Sequence, residues 1–251
     1  FYIPHGGGPC FFMDWTMGPA DTWDTMGDWL RGVATTLDRE PSAIVVVSAH
    51  WESELVSVTS SAQPTLLYDY YGFPEQTYEI RYDVQGSPKL ANEIRALLEE
   101  AGIATTSDPE RGLDHGVFVP LKLMFPSATI PVVQLSLQAL LEPKLHLEMG
   151  RALMSLREQG ILIVGSGMSY HNMAELMSGR EEIVDSDQFD QWLHETCCLE
   201  SGARAERLAN WIAAPAARSA HPREEHLLPL MVAAGAAGNG AGERVFSGRV
   251  M

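Results

Sequence analysis

Three short, unbroken apolar runs constrain this chain more than any other feature: Ala43–Ser48 (AIVVVS), Ile130–Leu137 (IPVVQLSL) and Ile161–Gly165 (ILIVG). A strand with one face in water alternates apolar and polar residues. A strand that is apolar on both sides of its pleat has both faces covered, which is the habit of parallel and mixed sheets with helices on either side. Leu55–Thr59 (LVSVT) alternates more cleanly and reads as a partly exposed strand.

Helical patterns lie between these runs. Ser87-Pro88 supplies an N-cap and a first helical residue, and Leu90, Ile94 and Leu97 recur at helical spacing before Gly102. Pro143 opens a second helix through Leu145, Met149 and Leu156, stopped by Gly160. Asp21–Asp38 and Asp187–Leu199 are further amphipathic segments. Alternating strands and helices predict an α/β fold with a central, mostly parallel or mixed sheet flanked by helices. No Pro-rich or Gly/Ser-rich linker divides the chain and no internal repeat occurs. The most linker-like stretch, Gly235–Gly242 (GAAGNGAG), reads as a loop after a helix, so the expectation is a single domain over residues 1–251.

Composition narrows the class of function. With 17 Lys+Arg against 33 Asp+Glu in 251 residues, the net charge is −16, which opposes a nucleic-acid partner and an anionic membrane surface. A hydrophobic content of 45% is enough for a sizeable core. No run approaches the roughly 18 apolar residues a membrane span needs, and no basic-then-apolar leader is visible. Cys10, Cys197 and Cys198 form neither a disulfide framework nor a CxxC knuckle, which points to a reducing, cytoplasmic compartment. The adjacent pair reads as ordinary helix residues.

The eight histidines separate by context. His5 precedes three glycines in Pro4–Pro9 (PHGGGP), a tight turn that admits close approach but does not match a phosphate-binding GxGxxG. His50 follows the strand AIVVVSA, and His171 follows the strand at Ile161 through GSGMSYHN. Ligand crevices of open α/β sheets lie at such carboxyl ends of strands. His115 sits on a Gly-flanked loop before an apolar helix, with Asp114 beside it as a candidate orienting carboxylate, although sequence neighbours usually face apart. His226 lies at a helix entrance ahead of Pro229. By contrast, His146 and His194 sit within amphipathic helices and read as structural, and His221 reads as a surface loop residue. Five histidines in loop and strand-end positions suit a metal site, where neutral imidazole is the commonest ligand. Neither HExxH nor GxSxG occurs, so a zincin protease and an α/β-hydrolase are disfavoured.

Five motifs in order, PHGGGP at 4–9, SAHWE at 48–52, DHGVFVPL at 114–121, GSGMSYHN at 165–172 and EEHLLPL at 224–230, resemble the DODA-type extradiol ring-opening dioxygenases. These belong to the class III superfamily of the protocatechuate 4,5-dioxygenase catalytic chain. Each motif is weakly specific alone; the ordered series covers nearly the whole chain. The resemblance implies non-haem Fe(II), with Zn(II) able to occupy the same place, and cleavage of a DOPA-like catechol with O₂ to a muconic semialdehyde-type product. It implies His5, His50 and His226 as metal ligands, with Glu225 adjacent as an alternative carboxylate. It implies His115 as general acid and His171 as general base or fourth ligand.

Such chemistry wants a base for the second catechol proton and an acid for the departing oxygen, and histidine titrates near neutrality. Among Phe11, Phe12, Trp51, Phe118 and Tyr170, Tyr170 is the favoured ring clamp because it adjoins His171. Arg223 and Lys122 lie near motifs, but no basic residue is assigned to a substrate carboxylate. Two alternatives remain at this point: a zinc-dependent hydrolase on the same site, and a non-enzymatic metal-binding relative.

Overall fold

The structure, a computed structural model, describes residues 1–178 and 184–250. Six strands form one mixed sheet: β1 (Tyr2–Pro4), β2 (Ala43–Ser53), β3 (Val56–Thr59), β4 (Thr105–Asp108), β5 (Val132–Gln138) and β6 (Ile161–Gly167). Their spatial order is β1-β6-β2-β5-β3-β4, parallel throughout except at the β3–β5 pair.

The three apolar runs are the central strands, and their pleat serves two cores. Along β2, Ala43, Val45 and Val47 enter one core while Ile44 and Val46 enter the other. On the first face lie α2 (Pro88–Glu100), α4 (Pro143–Ala152), α6 (Val184–Cys197), α7 (Ser201–Ala209) and α9 (Leu228–Ala236); on the second lie α1 (Asp24–Gly32) and α3 (His115–Met124). Two four-residue helices, α5 (Met173–Leu176) and α8 (Ala217–Ala220), complete the set among the described residues. No helix among the described residues is long and apolar enough to cross a membrane.

Helix starts follow the local chemistry. The Ser87 hydroxyl accepts from the Leu90 amide at 3.2 Å and Pro88 opens α2. Its buried stripe is Leu90, Ala91, Ile94 and Leu98, with Leu97 only partly covered. The second predicted helix is shorter than its pattern: α4 ends at Ala152 and the chain continues to Gly160 as a 3₁₀ segment, Met154–Gln159. The segment 21–38 likewise divides into α1 and a 3₁₀ turn.

The expectation of a partly exposed strand at Leu55–Thr59 holds only for Leu55, which is exposed just ahead of the strand, and is corrected for Val56–Thr59. β3 is buried at every residue because β4 pairs along its outer edge and α2 packs over it. Its polar residues are accommodated internally: Ser57 donates to Ser53 Oγ at 2.8 Å, and Thr59 Oγ1 accepts from the Gln134 amide at 2.8 Å.

α3 is buried at every residue but Lys122, between the sheet and α1, which explains why its sequence shows no polar face. Pro120 lies inside it and has no N–H for the Gly116 carbonyl one turn earlier. The Ser166 hydroxyl on β6 donates to that carbonyl instead. The helix break is thereby converted into a tie that holds the start of α3 against β6.

Candidate metal centre

Because β1, β6 and β2 are adjacent and parallel, their carboxyl ends share one edge of the sheet. His5 follows β1 directly, and His171 lies shortly beyond β6. His50 lies within β2, not after it: the strand runs on to Ser53, and its register against β5 shifts between Val47 and Glu52. Such an irregularity re-aims side chains where pairing is interrupted. The start of α3 brings His115 to the same edge, and the residues before α9 bring His226. The His226 carbonyl is fixed by Tyr2 Oη at 2.8 Å and the Met168 amide at 3.1 Å, so both neighbouring strands hold that turn.

All five motif histidines meet. The His5 ring centroid lies 4.8 Å from that of His50, 5.5 Å from His115 and 5.2 Å from His226. His50 lies 4.0 Å from His115 and 4.9 Å from His226, and His171 stacks on His226 at 3.3 Å. Among the described residues, two groups have donor atoms mutually within 4.8 Å: His5, His50 and His115, and His171, Glu225 and His226.

The nitrogens are already sorted. His5 Nδ1 donates to the Gly6 carbonyl at 2.9 Å, made possible by a turn in which Gly6 and Gly8 have φ of 78° and 58°. That leaves His5 Nε2 facing His50 Nε2, 3.2 Å away. His226 Nδ1 donates to Glu225 Oε1 at 2.9 Å, and its Nε2 is buried with no hydrogen-bond partner. Burial, reinforced by the neighbouring histidines, holds His5 and His50 well below the ordinary imidazole range. Burial likewise pushes His226 down to about 4, against the opposing pull of Glu225. Neutral imidazoles with inward lone pairs and one buried, unpartnered nitrogen suit a divalent cation.

Two carboxylates stand behind the rings. Asp69 Oδ1 accepts from His115 Nδ1 at 2.8 Å and from the His115 amide at 2.9 Å. Burial alone would raise the Glu225 carboxyl, but hydrogen bonds from His171 and His226 outweigh it and hold it far below the usual range. Arg223 bridges Glu52, beyond His50, to Glu225.

Beneath the centre, the fully buried Asp114 carboxyl accepts from Ser48 Oγ at 2.7 Å and from the Gln134 amide group, with Arg111 at 3.4 Å. Burial and the nearby Asp69 charge raise its affinity for a proton, opposed by those hydrogen bonds. Asp114 therefore braces β2 and β5; the carboxylate on the His115 ring is Asp69, 46 residues earlier. Asp69, Gln134 and Tyr2 lie outside every motif, Ser48 opens SAHWE without a role there, and the partners of all four are distant in sequence.

The remaining expectations divide. His146 is buried in α4, donating from Nδ1 to the Glu142 carbonyl and accepting at Nε2 from the Gln138 amide. His194 lies in α6. His221 is corrected from surface to core: it is fully buried, near Phe189 and Trp211, and donates to the Ser169 carbonyl at 3.0 Å. Tyr170 is half-buried against the core on the α2 and α9 side. Tyr70, which no motif contains, sets its ring 5.9 Å from His115. Phe118 and Phe11 pack on Tyr68 and Trp23, Trp51 lies under Arg111, and Phe12 lies 6.0 Å from the Lys122 ammonium. Lys122 donates to the Arg81 carbonyl. Cys10 is buried, with its thiol pushed up to about 12 by desolvation.

A histidine cluster at the carboxyl edge of an α/β sheet, joined with comparison to known proteins, defines the chain as an aromatic ring-cleavage dioxygenase. It belongs to the LigB family, the catalytic LigB subunit of aromatic ring-opening dioxygenase, whose model matches residues 1–249. Dioxygenases of this family are metal-dependent. A 4,5-DOPA dioxygenase extradiol of Beta vulgaris is 43% identical over 80% of this chain and 75% of its own length. Dioxygenase tasH of Hapsidospora irregularis is 40% identical over 80% of this chain, which spans 65% of that protein. The solved structure of an uncharacterised Escherichia coli K12 protein superposes with a TM-score of 0.72 at 33% identity, covering 84% of this chain and 81% of the other.

Proposed function

We propose that this protein is a non-haem Fe(II)-dependent extradiol dioxygenase that opens the ring of a DOPA-like catechol with O₂, giving a muconic semialdehyde-type product. Residues 1–251 act as one catalytic domain in a reducing, cytoplasmic setting. The supporting observation is the convergence of His5 Nε2 and His50 Nε2, 3.2 Å apart, with the His226 ring, whose buried Nε2 has no other partner. These three are the metal ligands. Bound Fe(II) supplies open positions where both catechol oxygens and O₂ are held together.

The chain's own groups do the rest. His171, stacked on His226, takes the second catechol proton and is a further donor beside that ligand. His115, on the other side of the His5–His50 pair, protonates the departing oxygen. Zn(II) fits the same three nitrogens and gives an inert occupant for ring cleavage.

The test is anaerobic loading with Fe(II), addition of a catechol panel, then admission of air. Stoichiometric O₂ uptake with a yellow product is expected, and zinc-loaded protein should give none. No O₂ consumption with any catechol would sink the reading.

A further inference from the structure

Asp69 enters the site by a route that leaves no sequence signature. The extended segment before it is pinned to the residues leading into α3: Leu67 donates to the Leu113 carbonyl at 2.7 Å and Leu113 to the Thr65 carbonyl at 2.8 Å. This short ladder delivers Asp69 to the first turn of α3. Asp114 holds the N-cap position there but makes no side-chain capping bond, because its carboxyl is engaged with Ser48 and Gln134. The amide left over is that of His115, and Asp69 takes it.

The same oxygen, Asp69 Oδ1, also receives His115 Nδ1. A carboxylate oxygen only accepts, so the ring nitrogen it meets must carry the proton. The backbone bond fixes the carboxylate, and the carboxylate fixes the ring. Tyr70, the next residue, packs edge-on against that ring and closes another direction of rotation. Burial raises the Asp69 carboxyl, but its bonds to His115 outweigh this and hold it low, so it stays an acceptor.

We propose that Asp69 is a positioning residue for ring cleavage: it locks His115 in the Nδ1–H tautomer, so that Nε2 is the nitrogen offered to substrate. This rests on the reading above, in which His115 handles a substrate proton. In the locked tautomer the Nε2 lone pair takes the first catechol proton, and the imidazolium so formed, held by Asp69, later returns that proton to the departing oxygen; the other tautomer would present an N–H there and have no lone pair for the hydroxyl. The arrangement is the orienting role that a carboxylate plays behind a catalytic imidazole generally.

The experiment compares Asp69→Leu and Asp69→Ala with wild type in two arms. In nitrogen NMR of the zinc-loaded, diamagnetic protein, wild-type His115 should carry its proton on Nδ1, and the variants should shift toward Nε2–H. In the iron-loaded enzyme, kcat should fall by about 10²-fold or more with KM and metal content unchanged. Asp69→Leu is close in shape, removes both acceptor oxygens and carries the test if the Ala variant does not fold. An unchanged His115 tautomer in Asp69→Leu, wild-type kcat in that variant, or metal lost in proportion to activity would each overturn the proposal. A wild-type enzyme inert to every catechol would defeat the ring-cleavage reading alone, because the tautomer measurement needs no turnover.

Discussion

His171 and His226 stack face to face, with ring centroids 3.3 Å apart and planes 13° from parallel, and both direct Nδ1 at the same oxygen, Glu225 Oε1. One carboxylate thus orients two imidazoles, and each is left with Nε2 for the site. Carboxylates behind metal-bound histidines typically set affinity by 10- to 100-fold. Glu225→Gln should therefore weaken metal retention by about that factor, measured by competition with a chelator, while leaving the chain folded. Unaltered retention would remove Glu225 from the metal centre.

The five histidines should separate into two classes. His5→Ala, His50→Ala and His226→Ala should each lose bound iron, read by elemental analysis. His115→Ala and His171→Ala should keep it and lose about 10²–10⁴-fold in turnover. Metal loss in His115→Ala would make His115 a ligand, as its closeness to His5 and His50 also allows.

Gly116 is the point where α3 approaches β2. A methyl group there would lie 2.7 Å from Ser48 Oγ and 3.0 Å from His50 Cδ2. Gly116→Ala should lower stability by about 1–3 kcal/mol through overpacking. Because one of the crowded atoms belongs to His50, metal binding should fall as well. A melting curve with metal titration checks both, and a variant indistinguishable from wild type would contradict the packing.

His146, remote from the site, predicts an acid-sensitive stability. Its ring is fully buried and neutral between the Glu142 carbonyl and the Gln138 amide, and burial lowers it to about 4. The folded state resists the proton that the unfolded chain accepts near 6.5. The contribution is therefore complete above pH 6.5, declines as pH falls, and is lost by about pH 4. That gap is worth about 3 kcal/mol. In urea unfolding, His146→Gln should be less stable at pH 8 yet flatter between pH 6.5 and 4. An identical slope in both proteins would exclude this residue as a source.

Much of the architecture is legible in one dimension. AIVVVS and ILIVG read as strands with both faces covered because a pleat that is apolar on either side has nowhere else to go. The five motif histidines stand out because each sits beside a glycine turn, a strand or a helix entrance. The alternation of Leu55–Thr59 misled because periodicity records side-chain character, while burial of Ser57 and Thr59 depends on β4 and on hydroxyl partners from other strands. His221 misled similarly, since the aromatic rings around it come from α6 and the turn after α7.

What the sequence by itself determined is the layered α/β fold and the identity of five imidazoles drawn to one sheet edge. Only the tertiary structure decided which nitrogen of each ring faces inward. That choice rests on which acceptor reaches each ring: Asp69, 46 residues before His115, and Glu225, which adjoins His226 in sequence but reaches His171 only through the fold. It also rests on Ser166 taking the carbonyl that Pro120 leaves unpaired. A ring's tautomer depends on the partner that reaches its other nitrogen, and the folded backbone decides which partner that is.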